Sequence, residues 1–130
     1  MIYDMGLDKF ATAINCIDGR TQFPVSLWVK ENHSIDYVDV ITEPGPDKKV
    51  SENQADKIEQ IKAKVLISVN AHKSNLIVVC GHHDCAGNPV SKEEHISQIK
   101  KSVEIIKSWN LGVTVLGLWV NEKWSIEPIT

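Results

Sequence analysis

The sequence has no apolar run that approaches the length of about 18 residues needed to cross a membrane. It has no excess of basic residues either, because 14 Lys and Arg are outnumbered by 17 Asp and Glu and the formal net charge is -3. Acidic and basic residues are interspersed, which excludes the basic surfaces that bind nucleic acid or lipid headgroups. We therefore expect neither a nucleic acid nor a membrane as a partner.

The N-terminal residues lack the basic cluster of a secretory signal, because acids occur at Asp4 and Asp8. This pattern predicts a cytoplasmic protein. Cysteine is also scarce, and the odd number of three residues leaves a disulfide framework incomplete. In the cytoplasm, scarce cysteines are more typical of metal ligands or free thiols than of disulfides.

The chain has no internal repeat, no low-complexity segment and no stretch typical of a domain linker. Its 130 residues are enough for one hydrophobic core and too few for two ordinary domains. Hydrophobic residues make up 42% and charged residues 24% of the chain, as in globular proteins. We predict one domain over residues 1–130.

The stretch at residues 76–89, LIVVCGHHDCAGNP, places reactive side chains at the end of a strand. Residues 76–80 are apolar without polar alternation, which is typical of a strand covered on both faces in a parallel sheet. Gly81 lets the backbone leave the strand sharply. The imidazole and thiolate in the spacing His82-x-x-Cys85 are ligands that zinc takes readily.

A third ligand is needed, because two ligands do not hold zinc tightly. Cys80 lies inside the predicted strand, where a free cysteine behaves as a small hydrophobic residue. Cys16 is the cysteine that is left, and it lies in another strand-like run, ATAINCIDGR at residues 11–20. His83 stays an alternative to His82 if the loop turns differently.

The spacing of apolar residues predicts an alternation of strands and helices. Strands are predicted at residues 9–17, 35–41, 76–80 and 113–120, with a short antiparallel strand at 124–126. A turn is predicted at residues 21–23 and a loop at 43–47, where Gly and Pro are frequent.

Helix start signals complete this pattern. Pro24 suits the first position of a short helix that ends near residue 32 or 33. Ser51-x-x-Gln54 spells a capping box, which predicts a long helix from Ser51 to about His72. Ser91-x-x-Glu94 spells a second capping box, which predicts a helix that ends at about residue 110.

This alternation predicts an α/β fold: an open, mainly parallel four-stranded sheet of order 2-1-3-4, with helices on both faces and a short antiparallel C-terminal strand. In such sheets ligands bind beyond the carboxyl ends of the strands, where the winding changes direction. Here that point lies between strands one and three. Strand one ends in Cys16 and Asp18, and strand three ends in His82 and Cys85, so we expect these side chains to lie together.

The segments CIDGR at residues 16–20 and HHDC at residues 82–85 together resemble the zinc signature of the β-class carbonic anhydrases. The resemblance extends through the strand IVVCGH, the helix before it and the final strand and hairpin. Two motifs in the right order, each at a strand end, are more specific than either motif alone.

The resemblance implies that Cys16, His82 and Cys85 bind zinc and that Asp18 and Arg20 form the dyad that orients the fourth ligand. A zinc-bound hydroxide would then attack CO2 to give bicarbonate, reversibly. Arg20 would hold Asp18 ionised through a forked pair. Two alternatives for Asp18 stay open: it is itself the fourth zinc ligand, or it forms a surface ion pair with Arg20.

The chain departs from this family in its short length and in the turn after strand two, which is TEPGP at residues 42–46 where the family carries RNAGN. Ala86 also stands where glycine is common. These departures leave two alternative functions. One is hydrolysis of a related small electrophile, carbonyl sulfide or carbon disulfide, and the other is a non-catalytic, zinc-stabilised binding or regulatory module.

The resemblance also implies a homodimer or a higher homo-oligomer, because the family pairs its subunits across the sheet. Exposed sheet edges and the many tryptophans of so short a chain favour the same state. The tryptophans are expected to pack in the core or in an interface: Trp28, Trp109, Trp119 and Trp124. The remaining histidines are expected at the solvated surface: His33, His72 and His95.

Overall fold

The computed structural model describes residues 8–130, and residues 1–7, on which part of the expected cytoplasmic location rests, lie outside the described residues. Strands and helices alternate along the described part. They are β1 (Phe10–Cys16), α1 (Gly19–His33), β2 (Tyr37–Glu43), α2 (Pro46–Glu52), α3 (Ala55–Ala71), β3 (Leu76–His82), α4 (Lys92–Lys107), β4 (Thr114–Val120) and β5 (Ile126–Pro128).

The strands form one sheet in the order β2-β1-β3-β4-β5. β1 pairs in parallel with β2 and β3, β3 pairs in parallel with β4, and β4 pairs antiparallel with β5. The predicted order 2-1-3-4 and the antiparallel C-terminal strand are therefore confirmed. All seven residues of β3 are buried, because the strand is central and helices cover both faces of the sheet.

Side chains alternate between the two faces of the sheet and build a hydrophobic core on each. On one face, Val25 and Val29 of α1 pack with Ala13 and Val78 of the sheet. On the other face, the core includes residues of α2, α3 and α4 that pack on β1 and β3: Val50, Ile61, Val65, Val103 and Ile106. The two cores hold β1 and β3 side by side, so their carboxyl ends lie together.

Helix α1 begins earlier than predicted, and the predicted turn at residues 21–23 is wrong. The helix starts at Gly19 because Asp18 is its N-cap, with the Asp18 side chain accepting a hydrogen bond from the Arg20 backbone N–H at 2.9 Å. Pro24 therefore lies inside the helix rather than at its first position. Its missing N–H removes one helical hydrogen bond near the start of α1.

The segment before α3 also differs from the prediction. Pro46 occupies the start of α2, so the predicted loop at residues 43–47 ends earlier and a short helix follows. Ser51 lies inside α2, where its Oγ donates to the Lys48 carbonyl at 3.2 Å, and it is not the cap of the long helix. That helix, α3, follows Gln54 as its N-cap.

The remaining helix limits agree with the predictions, except that α4 ends at Lys107, before the predicted end at about residue 110. Ser91 caps α4 by accepting a hydrogen bond from the Glu94 backbone N–H at 3.1 Å, as its capping box predicts. Helix α3 ends at Ala71 with His72 as its C-cap. No helix within residues 8–130 is long and apolar enough to span a membrane.

The C-terminal hairpin lies slightly later than predicted, at Ile126–Pro128 instead of residues 124–126. The reason is a turn held by Asn121, whose side-chain oxygen accepts from the backbone N–H groups of Lys123 and Ser125 at 2.9 and 3.0 Å. Trp124 lies in this turn at φ 59, a conformation that is rare for a bulky residue.

Candidate metal centre

The carboxyl ends of β1 and β3 bring Cys16, His82 and Cys85 together. Their ligand atoms all lie within 4.8 Å of one another, and the two sulfurs are 3.9 Å apart. Two sulfurs bound to one tetrahedral zinc at about 2.3 Å each lie about 3.8 Å apart. The spacing of the two cysteines therefore fits a single zinc ion.

The orientation of His82 also fits a metal ligand. Its Nδ1 lies 2.7 Å from the His83 carbonyl oxygen, so Nδ1 carries the proton and donates. Its Nε2 is buried and has no hydrogen-bond partner. A buried acceptor without a partner is costly, and binding an ion through Nε2 removes that cost, while the Nδ1 hydrogen bond fixes the ring.

The two cysteines differ in how readily they lose a proton. A hydrogen bond from the Cys85 thiol, against the opposing effect of burial, lowers the pKa of Cys16 to about 3, and the nearby His82 imidazole and the backbone at Asp18 and Gly45 act in the same direction. The same hydrogen bond raises the pKa of Cys85. Loss of a proton is thus favoured at Cys16, and a bound divalent cation would favour the thiolate form of both cysteines.

Asp18 lies beside this cluster, with Oδ2 3.9 Å from His82 Nε2. Arg20 holds the carboxylate by a fork, from Nη2 to Oδ2 at 2.7 Å and from Nε to Oδ1 at 3.1 Å. This pairing lowers the pKa of Asp18 from its usual 3.8 to about 2, so the group is ionised at neutral pH. The structure therefore brings both residues of the expected dyad to the three candidate ligands.

Two further residues hold Arg20, and neither was identified from the sequence. Asp84 accepts from Arg20 through its side chain at 3.3 Å and its carbonyl at 3.2 Å. Trp124 lies under the guanidinium, with Arg20 Cζ 4.4 Å from the ring centre. Asp84 is part of the HHDC motif and offers a signal that sequence analysis could have used. Trp124 offers none, because only the hairpin brings it to Arg20.

The alternative ligand His83 does not join the cluster. Its side chain is exposed, and its carbonyl is the partner of His82 Nδ1. Cys80 is buried inside β3 as expected, and burial raises the pKa of its thiol. Neither residue is among the three side chains that come together at the strand ends.

One expectation about the histidines is wrong. His95 is not solvated but buried, where its Nδ1 lies 2.5 Å from Oδ2 of the fully buried Asp47. His33 and His72 are exposed, and His72 pairs with Asp39 at 2.7 Å. The Asp47–His95 pair was not predicted, because Asp47 was expected in a loop and lies instead in the first turn of α2.

Fold and site together define an α/β domain with a Cys-His-Cys cluster, compatible with a bound metal ion, at the ends of its parallel strands. The sequence model of the family described as "Putative carbonic anhydrase" matches residues 7–130. The chain therefore belongs to this carbonic anhydrase family, and the resemblance noted in its motifs is confirmed.

Solved structures of β-carbonic anhydrases share the fold. The isoform I enzyme of Trichomonas vaginalis has a TM-score of 0.63 and 15% identity over 92% of this chain and 81% of its own. A carbonic anhydrase from Glaciozyma antarctica has a TM-score of 0.62 and 14% identity over 92% and 81%. A tetrameric β-carbonic anhydrase of Sordaria macrospora has a TM-score of 0.63 and 15% identity over 94% of this chain and 80% of its own. No curated protein matches the chain by sequence.

Proposed function

We propose that this protein is a zinc-dependent carbonic anhydrase that hydrates CO2 reversibly to bicarbonate. The observation that carries the proposal is the buried, unpartnered Nε2 of His82, which faces two cysteine sulfurs beside the Asp18–Arg20 pair. A purely structural metal site is usually closed by four protein ligands. Here three candidate ligands lie beside the carboxylate of Asp18, which already accepts hydrogen bonds from Arg20.

Cys16, His82 and Cys85 would hold the zinc ion. When bound, zinc supplies the acidity that makes water a nucleophile near neutral pH. Two thiolates already balance the charge of a divalent ion, so the acidity of the water depends strongly on the groups around the ligands. In this chain those groups are Asp18 and the residues that hold it.

Asp18 would accept a hydrogen bond from a water molecule near the three ligands. This bond would fix the direction in which the lone pairs of the water point. Because Arg20 keeps the carboxylate ionised, Asp18 can act only as an acceptor. The fork uses both carboxylate oxygens, and Oδ1 also accepts from the Arg20 backbone N–H. This bonding favours the role of orienting acceptor over the role of fourth zinc ligand, since a ligand role would require Asp18 to move away from Arg20.

The chain is also proposed to form a homo-oligomer that covers apolar side chains near the site. Ile17, between Cys16 and Asp18, is 64% exposed, and Phe23 of α1 is 73% exposed. Apolar side chains this exposed, next to a binding site, are typical of an interaction surface. We further propose a cytoplasmic location, in which the three free thiols stay reduced.

A stopped-flow CO2 hydration assay on protein of known zinc content tests the proposed function. We expect turnover that scales with zinc content and is lost when a chelator removes the metal. Carbonyl sulfide and carbon disulfide are assayed in parallel, because the same nucleophile attacks them. A fully zinc-loaded protein that turns over none of the three substrates would identify a non-catalytic, zinc-stabilised module.

A further inference from the structure

A buried polar cluster lies outside the metal ligands, between α2, the loop after β3, and α4. It consists of Asp47, Asn88 and His95, each at most 2% exposed. Asp47 Oδ1 accepts from Asn88 Nδ2 at 3.1 Å, and Asp47 Oδ2 lies 2.5 Å from His95 Nδ1. A buried carboxylate is costly unless its oxygens are hydrogen-bonded, so each member of the cluster depends on the others.

The cluster joins two loops that are in direct backbone contact. One contains Gly45, the N-cap of α2 at φ +63, and the other contains Gly87. A Cβ at Gly45 would lie 2.8 Å from the Gly87 carbonyl oxygen, and a Cβ at Gly87 would lie 2.7 Å from the Pro44 carbonyl carbon. The loops cannot approach further, and the hydrogen bond between Asp47 and Asn88 keeps them from separating.

Each of these loops is hydrogen-bonded to the backbone beside one cysteine. The Glu43 carbonyl, two residues before Gly45, accepts from the N–H of Ile17, next to Cys16, at 3.2 Å, and the N–H of Asn88 donates to the Cys85 carbonyl at 3.2 Å. Hydrogen bonds around a ligand residue fix its position and orientation. The contact between the two loops therefore holds the backbone of the two cysteines at a fixed separation.

The cluster also lies against the strand that carries His82. A Cβ added to Gly81 would collide with Asp47 Oδ2, so the carboxylate packs directly on the backbone of the residue before His82. Ser102 of α4 donates to the Asp47 carbonyl at 3.1 Å and ties the start of α2 to α4. The backbone beside each candidate ligand thus lies against the cluster or is hydrogen-bonded to one of the loops that the cluster joins.

We propose that Asp47 is a positioning residue of the metal centre, acting with Asn88 and His95 through the two loops that lie beside the cysteines. The inference rests on the zinc site of the proposed function and is independent of the reaction with CO2. A cluster that only stabilised the fold would, when broken, lower the stability of the protein and leave the zinc affinity of its folded state unchanged. A positioning cluster changes that affinity.

A reciprocal exchange of Asp47 and Asn88 tests this. Asp47→Asn leaves one acceptor oxygen where Asp47 offers two, so either Asn88 or His95 faces an amide NH2 group, and Asn88→Asp places two carboxylates against each other. The double variant Asp47→Asn with Asn88→Asp again pairs one carboxylate with one amide. The matched control is Val65→Ala. Val65 of α3 is fully buried in the core, and its truncation leaves a cavity away from the cluster.

Three measurements are made on each variant: zinc affinity by competition with a chromophoric chelator, the thiolate-to-cobalt absorption of the Co(II) form, and urea stability of the metal-free protein. We expect each single exchange to lower zinc affinity by about 10- to 100-fold, the usual effect of losing a group that orients a ligand. Their cobalt absorption should shift, and the double variant should recover most of the lost affinity. Val65→Ala should lose stability and keep the affinity and spectrum of the unmodified protein.

Zinc affinities and cobalt spectra of the single variants that match those of Val65→Ala would overturn the proposal. Should neither single variant fold, His95→Gln decides, because it keeps an amide donor for Asp47 in a different position. An unchanged zinc affinity in that variant would overturn the proposal as well. The function is tested separately. Zinc-loaded protein without hydration activity refutes the proposed reaction, whereas the zinc affinities of the variants test only the positioning role of Asp47.

Discussion

The guanidinium of Arg20 lies between two groups, with its nitrogens on the carboxylate of Asp18 at 2.7 and 3.1 Å and its Cζ 4.4 Å from the ring centre of Trp124. The first contact belongs to the start of α1 and the second to the turn before β5. The C-terminal hairpin therefore contributes to the orientation of the dyad, through a tryptophan held at a positive φ by the side chain of Asn121.

Removing Trp124 should loosen Arg20 without removing it. A cation–π contact at an exposed site is weak, so Trp124→Ala should lower CO2 hydration by only about two- to fivefold with unchanged zinc content. Trp124→Phe keeps an aromatic ring and should lose less of the CO2 hydration activity. Trp109→Ala is the control, because Trp109 contacts Lys62 at 5.6 Å outside the metal centre. Equal losses in Trp109→Ala and Trp124→Ala would contradict this role.

The three candidate ligands can be tested by metal content. Purified protein should contain about one zinc per chain, since three convergent N and S ligands suffice for a site with an open position. Cys16→Ser, His82→Ala and Cys85→Ser should each remove most of the metal. Cys80→Ser is the control, because Cys80 is buried inside β3. Metal loss in Cys80→Ser together with full retention in Cys16→Ser would show that the site is wrongly assigned.

The sheet and the ligand cluster were predictable because their signals are local. The apolar run of β3 and the motifs at residues 16–20 and 82–85 lie at strand ends, and the parallel order of the strands brings those ends together. Helix starts were less predictable, because Asp18 serves both as a cap and as a candidate dyad residue. Its capping role moved the start of α1 to Gly19.

The buried Asp47–His95 pair was not predictable, because the burial of a charged group depends on the partner that the fold supplies. Histidine and aspartate are usually exposed, and no spacing in the sequence relates residue 47 to residue 95. The contact of Trp124 with Arg20 was not predictable either, because it also depends on a partner that only the fold brings close. Both contacts arise from how loops meet after the sheet has formed, and both concern the surroundings of the ligands rather than the ligands.

Replacing Asp18 distinguishes a catalytic zinc site from a zinc site that only stabilises the fold. Asp18→Asn should leave zinc content and folding nearly unchanged and lower CO2 hydration by about a hundredfold or more, the usual scale for a lost orienting or acid–base group. The amide can donate to water where the carboxylate only accepts, so the water loses its fixed orientation. Asp56→Asn, an exposed residue in the first turn of α3, is the control. Activity in Asp18→Asn equal to that of the control would rule out the orienting role.

The exposed apolar surface beside the site predicts self-association, and Phe23 offers a sharp test. Sedimentation velocity at micromolar concentration should show a dimer or larger assembly, because Phe23 of α1 is 73% exposed and Ile17, between Cys16 and Asp18, is 64% exposed. Phe23→Ser should shift the protein toward monomer. Ile67→Ser is the matched control, since Ile67 is 63% exposed but lies on α3, on the opposite face of the sheet from α1. A monomeric unmodified protein would exclude the homo-oligomer, and dissociation by Ile67→Ser alone would move the interface to α3.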